Sequence, residues 1–442
     1  MRRQHGKFGL GLAGPRLREV IRGSLVSFSM KLLSTAVSFA LSIVVSRRLG
    51  SERAGIYFLS LTVITFLALV SRAGMENLLL KRVSFEYSKG NWANIQEQYN
   101  RGILICLVVG VFIAATVVIL SDEISSGIFS KNEIGPVLGL MALAIVPVAV
   151  TILHGQLFRA LRKMLLSSLF CELGLPLATL LLFVAFTTEN TAMTPAICYT
   201  GGVLIVCIFS VAAWHVEKSG KIKDRQVATS QRFGTMARAA WAFFIISISN
   251  YLIYWFASFA VGAFAKSSDV GVYHIALRVS SLMIFMLASI NAIAAPIISM
   301  LYQKNDILQL KTVIVKIVYF TIFSSTPLFV AIVLFGEEIL WIFGEEFRRG
   351  YWELLILSIG YFIASATGPV GYLLLMTGNE KKLKKVVLYT LVLSVVLNCL
   401  IIPKAGILGG AIVTSLVLAG RNIACAVILK VSTGISLYRA HA

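Results

Sequence analysis

Three basic residues lie inside long apolar stretches of this 442-residue chain, namely Lys31, Arg278 and Arg421. A charged side chain in the middle of a membrane costs roughly 2.5–3.5 kcal/mol on insertion scales, so it usually faces a partner or water and marks a functional site. We therefore predict that the three cations line a polar cavity that binds an anion. Lys31 lies nearest the end of its stretch, and its alternative is to extend toward lipid headgroups.

Polar residues recur within the first of these stretches at intervals of three and four, which places them on one face of a helix. A shift of 216 residues along the chain aligns this polar face with a second polar face in the C-terminal half. The shift pairs Lys31, Ser34, Ser38 and Ser42 with Ser247, Asn250, Tyr254 and Ser258. We predict that Ser34, Ser38, Asn250 and Tyr254 join the cations around one cavity; the alternative is hydrogen bonding between packed helices.

Two buried carboxylates have different predicted roles. Glu172 has no partner within its own helix and is a candidate carrier of a coupling proton, the alternative being an ion pair with a neighbouring cation. Arg72 and Glu76 are four residues apart, which favours a structural ion pair. The six cysteines and five histidines show no ligand spacing, and no phosphate-binding glycine loop is present, so we expect neither a metal nor a cofactor.

The composition predicts a membrane protein. The chain is 58% hydrophobic and 14% charged, against about 25% charged in an ordinary soluble domain. Runs of this length fit helices rather than barrel strands, since only helices and closed barrels satisfy the backbone in lipid. Twelve apolar segments predict membrane helices, at about 24–46, 56–73, 103–120, 137–155, 167–187, 195–214, 240–263, 272–299, 314–335, 352–376, 386–402 and 406–429.

The distribution of Lys and Arg predicts the orientation. If the amino terminus is inside, 29 of the 40 basic residues lie on the inner side, 8 lie on the outer side, and the remaining 3 are the buried cations. Positive residues collect on the cytoplasmic side of membrane proteins, which places both termini in the cytoplasm. The same rule explains the formal charge of +20 without nucleic acid as a partner.

The chain divides into two similar halves. We predict a cytoplasmic basic tail (1–23), an N-terminal lobe of six helices (24–215), a cytoplasmic linker (216–239), a C-terminal lobe of six helices (240–430) and a second cytoplasmic tail (431–442). The same shift of 216 lays Ser51, Gly55 and Tyr57 on Ser267, Gly271 and Tyr273. Six helices per lobe make the repeats parallel. The predicted fold is therefore an all-α polytopic membrane protein with about twelve transmembrane helices in two parallel six-helix repeats around a central cavity.

Short motifs in both halves resemble one transporter family. Arg47-Arg48-Leu49-Gly50 is followed by Gly55-Ile56-Tyr57, and Thr377-Gly378-Asn379-Glu380-Lys381 is followed by Asn398, Pro403 and a glycine-rich run at 406–411. In order and spacing these motifs resemble the polysaccharide transporter family of the multidrug/oligosaccharidyl-lipid/polysaccharide exporter superfamily, which includes bacterial O-antigen flippases.

This resemblance implies a transporter and not an enzyme. It implies that a polyprenyl-diphosphate-linked oligosaccharide, such as an O-antigen or exopolysaccharide repeat unit, is flipped from the inner to the outer leaflet by alternating access. The expected location is the bacterial inner membrane, where a polysaccharide polymerase or ligase would use the product. In this interpretation Lys31, Arg278 and Arg421 hold the phosphates while Ser34, Ser38, Asn250 and Tyr254 bind sugar.

Three alternatives remain open. An ion-coupled multidrug antiporter of the same superfamily would share the architecture but should carry acidic residues in its cavity. A peptidoglycan-precursor flippase would usually have fourteen spans. A membrane glycosyltransferase or polymerase would use residues of a large outer loop, and the loop at about 336–351 does contain four glutamates and two arginines; a rim that gates or repels is the other interpretation of this loop.

Overall fold

The computed structural model describes residues 15–186, 191–219, 221, 233–285, 287, 298, 301–302, 306–434 and 437–438. Within these residues the secondary structure is helical, with no β-strand. The longer helices are α1 (Pro15–Ser71), α2 (Met75–Ser88), α3 (Trp92–Ile119), α6 (Ile145–Ala160), α8 (Gly174–Ala185), α9 (Met193–Lys218), α10 (Phe233–Phe264), α11 (Ser267–Ser281), α12 (Ile307–Trp341), α13 (Tyr351–Ala366) and α15 (Glu380–Thr433). The shorter ones are α4 (Ser121–Gly127), α5 (Ile134–Ala142), α7 (Met164–Ser168) and α14 (Val370–Met376), with a π-helical segment at Leu169–Leu173 and a 3₁₀ segment at Glu345–Gly350.

Two glycines each divide a long helix into two spans. The apolar part of α1, Leu25–Ser71, has 47 residues and would be about 70 Å long if continuous, more than twice the hydrocarbon thickness of about 30 Å. It is broken at Gly50, where φ is 72°. The helix α15 is broken in the same way at Gly406, where φ is 56°. Only glycine adopts these left-handed backbone angles without strain.

The membrane helices match the sequence prediction. Eight described helices are long and apolar enough to cross a membrane, and the number is nine if α5 and α6, bent by 46°, count as one span. Dividing α1 and α15 at their glycines raises this number to eleven. The twelfth predicted segment, 272–299, begins within α11, and its residues 288–297 lie outside the described part of the chain. The chain is therefore a polytopic all-α membrane protein.

The outward faces of these helices are apolar. Phe112 and Ile119 of α3 and Phe209 of α9 are 73%, 74% and 65% exposed. A soluble monomer rarely exposes large apolar patches of this kind, whereas lipid contacts them at no cost. Several helices extend beyond the predicted apolar segments: α3, for example, begins at Trp92, before the predicted segment at 103–120, and the Asn91 side chain caps it by accepting a hydrogen bond from the Asn94 amide at 3.1 Å.

The two predicted repeats contact each other at residues that the shift of 216 pairs. A Cβ atom at Gly55 would lie 1.9 Å from the carbonyl oxygen of Ser267, and a Cβ atom at Gly271 would lie 2.2 Å from that of Ser51. Each half therefore places its glycine against the serine of the other. Such reciprocal contacts are those that a two-fold axis produces, and they indicate that the halves are related by one.

Further contacts between the halves lie at the same end of the molecule, which the charge distribution predicts to face outside and which we call the outer end. The amide and hydroxyl of Ser51 donate to a carboxylate oxygen of Glu346 at 2.8 and 2.5 Å. Arg47 Nε donates to the Ile342 carbonyl at 2.7 Å, and Lys131 donates to the Gly262 carbonyl. Burial lowers the pKa of Lys131. The outer end is thus closed by contacts between the halves.

The linker at 216–239 and the two tails stay predictions. Residues 1–14, 222–232, 435–436 and 439–442 lie outside the described residues. Helix α9 continues to Lys218 and α10 begins at Phe233, so both helices extend into the predicted linker.

Candidate functional site

A cavity of about 420 Å³ lies between the two halves and is lined by five of the predicted site residues. They are Lys31, Ser34 and Ser38 of α1, Tyr254 of α10 and Arg278 of α11. We call it the cationic cavity. Its remaining wall includes Phe39, Trp255, Phe285 and Tyr361, so two cations and several hydroxyls face a space with partly aromatic walls.

Helix α1 supplies the polar side of this cavity because Lys31, Ser34, Thr35 and Ser38 share one face. The Lys31 ammonium lies 5.9 Å from the centre of the Phe285 ring. The Ser34 hydroxyl donates to the Glu172 carbonyl at 2.8 Å, and that of Thr35 donates to the Lys31 carbonyl at 2.8 Å. The Ser34 bond joins α1 to the π-helical segment, whereas the Thr35 bond lies within α1, and Lys31 lines the cavity.

Arg278 supplies the second charge, from α11. Its guanidinium carbon lies 5.6 Å from the centre of the Phe39 ring. Its Nε atom is buried and has no hydrogen-bond partner among the described residues. A buried donor without a partner is unfavourable, and here it belongs to a side chain that lines a cavity able to hold an acceptor.

A second cavity, of about 350 Å³, adjoins the first. We call it the aromatic cavity because Tyr57, Tyr199, Tyr251 and Trp255 form much of its wall. Ser38, Trp255 and Arg278 line both cavities. The two cavities are therefore adjacent, with these three side chains in the walls of both.

Glu172 lies on the wall of the aromatic cavity. It is part of the π-helical segment Leu169–Leu173, a local distortion of a kind that is frequent at functional sites. Its Oε2 atom is buried and makes no hydrogen bond within the described part of the chain. The predicted alternative, an ion pair with a neighbouring cation, does not appear in the contacts that the structure describes.

Two predicted site residues lie outside these walls. The guanidinium of Arg421 lies over the ring of Tyr254, 5.9 Å from its centre, so it borders a cavity residue rather than the cavity itself. Its Nη1 atom is buried with no partner in the described residues. Asn250, one turn before Tyr254 on α10, is not among the residues that line either cavity.

The Arg72–Glu76 pair is structural, as predicted. The two side chains form a buried ion pair, and the other carboxylate oxygen of Glu76 accepts from the Ser247 hydroxyl at 3.3 Å. Asn77 donates to the same hydroxyl at 3.2 Å. The pair therefore joins α2 to α10, which belong to different halves.

Sequence reasoning missed several residues of the aromatic cavity, among them Tyr199, Tyr251 and His274. His274 lies four residues before Arg278 on α11, so the two share a helix face, and this spacing is the signal that could have found it. Tyr57 was noticed only as part of the repeated Gly-x-Tyr motif. No group of three or more His, Cys, Asp or Glu side chains that could hold a metal is found among the described residues.

Two family models match the chain. The model described as polysaccharide biosynthesis protein matches residues 20–302, and the one described as MatE matches residues 242–400. A curated relative, the "Probable low-salt glycan biosynthesis flippase Agl15" of Haloferax volcanii, is 22% identical over 408 residues, which cover 92% of this chain and 82% of that protein.

Solved transporter structures share the fold. An inward-facing multidrug resistance MATE family transporter of the MOP superfamily aligns with a TM-score of 0.73 at 15% identity and covers 93% of this chain and 99% of that one. A MOP superfamily transporter from Pyrococcus furiosus, described as having reverse polarity of its binding pocket, aligns with a TM-score of 0.66 at 14% identity and covers 96% of this chain and 98% of that one. At these identities the likeness shows the fold alone.

Proposed function

Because this chain belongs to the polysaccharide biosynthesis protein family, we propose that it flips a polyprenyl-diphosphate-linked oligosaccharide from the inner to the outer leaflet of its membrane. The observation that carries the proposal is the cationic cavity, in which Lys31 and Arg278 face a space lined by hydroxyls between the two halves. The glycan flippase of Haloferax volcanii supports the glycan part of this assignment.

The charges of the cavity suit an anion. A diphosphate carries its negative charge on oxygens that accept hydrogen bonds, and guanidinium and ammonium groups donate to them. Among the described residues that line the two cavities, Glu172 is the only carboxylate, against the two cations Lys31 and Arg278. In low-dielectric surroundings this balance favours an anionic ligand. We propose that Lys31 and Arg278 bind the diphosphate directly and that Arg421 adds positive charge from behind Tyr254.

The hydroxyls of Ser34, Ser38 and Tyr254 supply neutral hydrogen bonds beside these charges. We propose that they bind the polar head of the substrate near the diphosphate. Asn250 lies one turn before Tyr254 on α10. We propose that it contacts head groups too large for the described cavities.

The closed outer end fits a transporter that opens to one side at a time. The contacts of Ser51 with Glu346, of Gly55 with Ser267 and of Lys131 with Gly262 join the halves there. We propose that they separate when the halves rock to the outward-open state, as in other transporters built from repeats. Glu172, which lines the aromatic cavity together with Arg278, is our candidate for the group that couples this motion to a proton gradient.

We further propose that the protein lies in a bacterial inner membrane with both termini in the cytoplasm. The flipped lipid would then be used by a polysaccharide polymerase or ligase on the other side, as for an O-antigen or exopolysaccharide repeat unit. This chain would itself carry out transport and no catalytic reaction.

A multidrug antiporter is the second candidate function, favoured by the match of the MatE model to residues 242–400 and by the MATE fold. Such a protein should offer acidic groups to a cationic drug. The excess of basic residues around the cavities argues against it. A peptidoglycan-precursor flippase has the same ligand chemistry at the diphosphate and differs in the attached sugar.

Deletion of the gene tests the proposal. We expect a lipid-linked oligosaccharide to accumulate on the cytoplasmic leaflet, measured by mass spectrometry of extracted lipids after impermeant labelling of intact cells. A plasmid copy with wild-type Arg278 should restore the normal pool, and one with Arg278→Glu at equal abundance should not. Unchanged lipid-linked pools with altered drug tolerance would favour the antiporter.

A further inference from the structure

The aromatic cavity contains an unusual concentration of buried polar atoms that make no hydrogen bond among the described residues. They are Tyr57 Oη, Glu172 Oε2, His274 Nε2 and Arg278 Nε. Tyr57 and His274 are only 1% and 5% exposed. Buried polar groups in proteins are nearly always paired, so a group without a partner calls for an explanation. Four of them around one cavity indicate a ligand that supplies the partners.

The walls of the cavity restrict what that ligand can be. Tyr251 and Trp255 are stacked with their ring centres 6.2 Å apart, and their neighbours Tyr57 and Tyr199 add further ring surface. Flat apolar faces next to a few convergent polar atoms are typical of small-molecule sites. The volume of about 350 Å³ is near the lower end of the range of roughly 300–1,000 Å³ for such sites, so the ligand is small.

The unpartnered atoms include both donors and acceptors. The Arg278 Nε–H group and the Tyr57 hydroxyl can donate, the ionised carboxylate of Glu172 can only accept, and the His274 nitrogen can do either. A phosphate group, which only accepts, would leave Glu172 without a partner and repel it. A sugar ring offers hydroxyls that both donate and accept, together with C–H faces that pack against aromatic rings.

We propose that the aromatic cavity binds the first sugar ring of the substrate, the one attached to the diphosphate. This proposal rests on the proposed function and adds the position of the first sugar. The cationic and aromatic cavities share Ser38, Trp255 and Arg278, so a diphosphate in one and a sugar in the other would be adjacent, as they are in the lipid-linked molecule.

The repeat supplies an internal comparison. Tyr273 corresponds to Tyr57 by the shift of 216 and is equally buried, at 1% exposed. Its hydroxyl, however, pairs with Thr414 Oγ1 at 3.0 Å and with the Gly410 carbonyl at 3.4 Å. The hydroxyl of the C-terminal tyrosine is thus paired inside the protein, whereas that of its N-terminal counterpart lies in a cavity wall and has no partner among the described residues. This difference is expected if only the N-terminal tyrosine binds a ligand.

Binding of paired probes to the purified protein tests the proposal. The first probe is farnesyl diphosphate, and the others are farnesyl diphosphates that carry one sugar, namely glucose, galactose or N-acetylglucosamine. We expect calorimetry to show that at least one glycosylated probe binds about tenfold more tightly than farnesyl diphosphate, the gain of one or two net hydrogen bonds.

Matched tyrosine variants then locate the sugar. Tyr57→Phe should reduce the tenfold ratio of affinities severalfold and leave the affinity for farnesyl diphosphate unchanged. It should also preserve the melting temperature, because the removed hydroxyl has no partner in the described part of the chain. Tyr273→Phe should preserve the ratio and lower the melting temperature, because it loses two contacts. Glu172→Gln should also reduce the ratio.

The outcomes separate the two proposals. If farnesyl diphosphate binds and Lys31→Ala weakens it, but no glycosylated probe gains affinity or Tyr57→Phe leaves the gain intact, the sugar subsite is wrong and the diphosphate site stands. If Tyr57→Phe lowers the melting temperature as much as Tyr273→Phe and both leave the ratio unchanged, the tyrosine is structural. If wild-type protein binds none of the probes, both proposals fail.

Discussion

Replacement of Gly55 by alanine is the sharpest perturbation of the closed outer end. The new methyl carbon would lie 1.9 Å from the Ser267 carbonyl oxygen. Ordinary contact between such atoms needs about 3.4 Å, so α1 and α11 must separate by roughly 1.5 Å at this point, and overpacking of a dense interface of this kind costs about 1–3 kcal/mol. This cost destabilises the closed state relative to the open state, because the contact between the two halves exists only when the outer end is closed.

We therefore expect Gly55→Ala to shift the protein toward the outward-open state. The assay is the rate at which an impermeant maleimide labels a single cysteine at Ser38, which lines both cavities, from the outer side. A cost of about 1.4 kcal/mol would raise the open population, and thus the labelling rate, about tenfold. The other cysteines are replaced in this background.

Gly420→Ala is the matched control. Nothing lies within 4 Å of a Cβ atom at this helical glycine, so the methyl group should be accommodated and should raise helix stability by about 0.5–1 kcal/mol. Labelling at Ser38 should stay at the wild-type rate. If Gly55→Ala also labels at the wild-type rate and melts at the wild-type temperature, the close contact between the halves is not a feature of the molecule in solution.

Three further predictions concern the outer end, the buried ion pair and the orientation. Glu346→Ala removes the acceptor for both Ser51 hydrogen bonds and should speed labelling of the Ser38 cysteine, with Glu346→Gln intermediate; equal rates would mean that this contact does not hold the closed state. Glu76→Gln leaves Arg72 buried beside a neutral partner and should lower the free energy of unfolding by about 3 kcal/mol, measured by chemical denaturation in detergent, whereas loss of less than about 0.5 kcal/mol would show that the pair is already solvated. Cysteines at Lys404 and Lys384, near the two ends of one span, should react with an impermeant reagent only from outside and only from inside, respectively, and the reverse pattern would invert the predicted orientation.

Much of the fold follows from local sequence patterns. Apolar length predicts the spans, because a helix must bury its backbone polar groups and match the membrane thickness. The repeat predicted that Ser51 and Gly55 correspond to Ser267 and Gly271, and the structure brings these residues into reciprocal contact. The contact between Ser51 and Glu346, which are 295 residues apart, has no local signal, because neither motif indicates which loop of the other half will face it.

The candidate site was predictable where one helix face carries several polar residues. The spacing of Lys31, Ser34 and Ser38 placed them together because one face of α1 is polar. The same rule placed Asn250 beside Tyr254, and only Tyr254 lines the described cavities, because periodicity gives the face of a helix but not the depth at which a cavity ends. His274 shares its helix face with Arg278, four residues later, but the sequence does not show which helices pack against that face. Glu172 is the single charged residue of segment 164–185, and only the packing of the other helices decides whether it faces a cavity.

Transport itself tests the central claim most directly. The protein is reconstituted into liposomes that contain a fluorescent polyprenyl-diphosphate-linked oligosaccharide, and the fraction of the lipid that becomes accessible to an added glycosidase is followed with time. We expect the wild type to expose lipid from the inner leaflet, and Arg278→Lys, Arg278→Ala and Arg278→Glu to do so progressively more slowly at equal protein content, because Lys keeps the charge but loses the paired donors. A wild-type rate no faster than protein-free liposomes, or full transport by Arg278→Glu, would contradict the account.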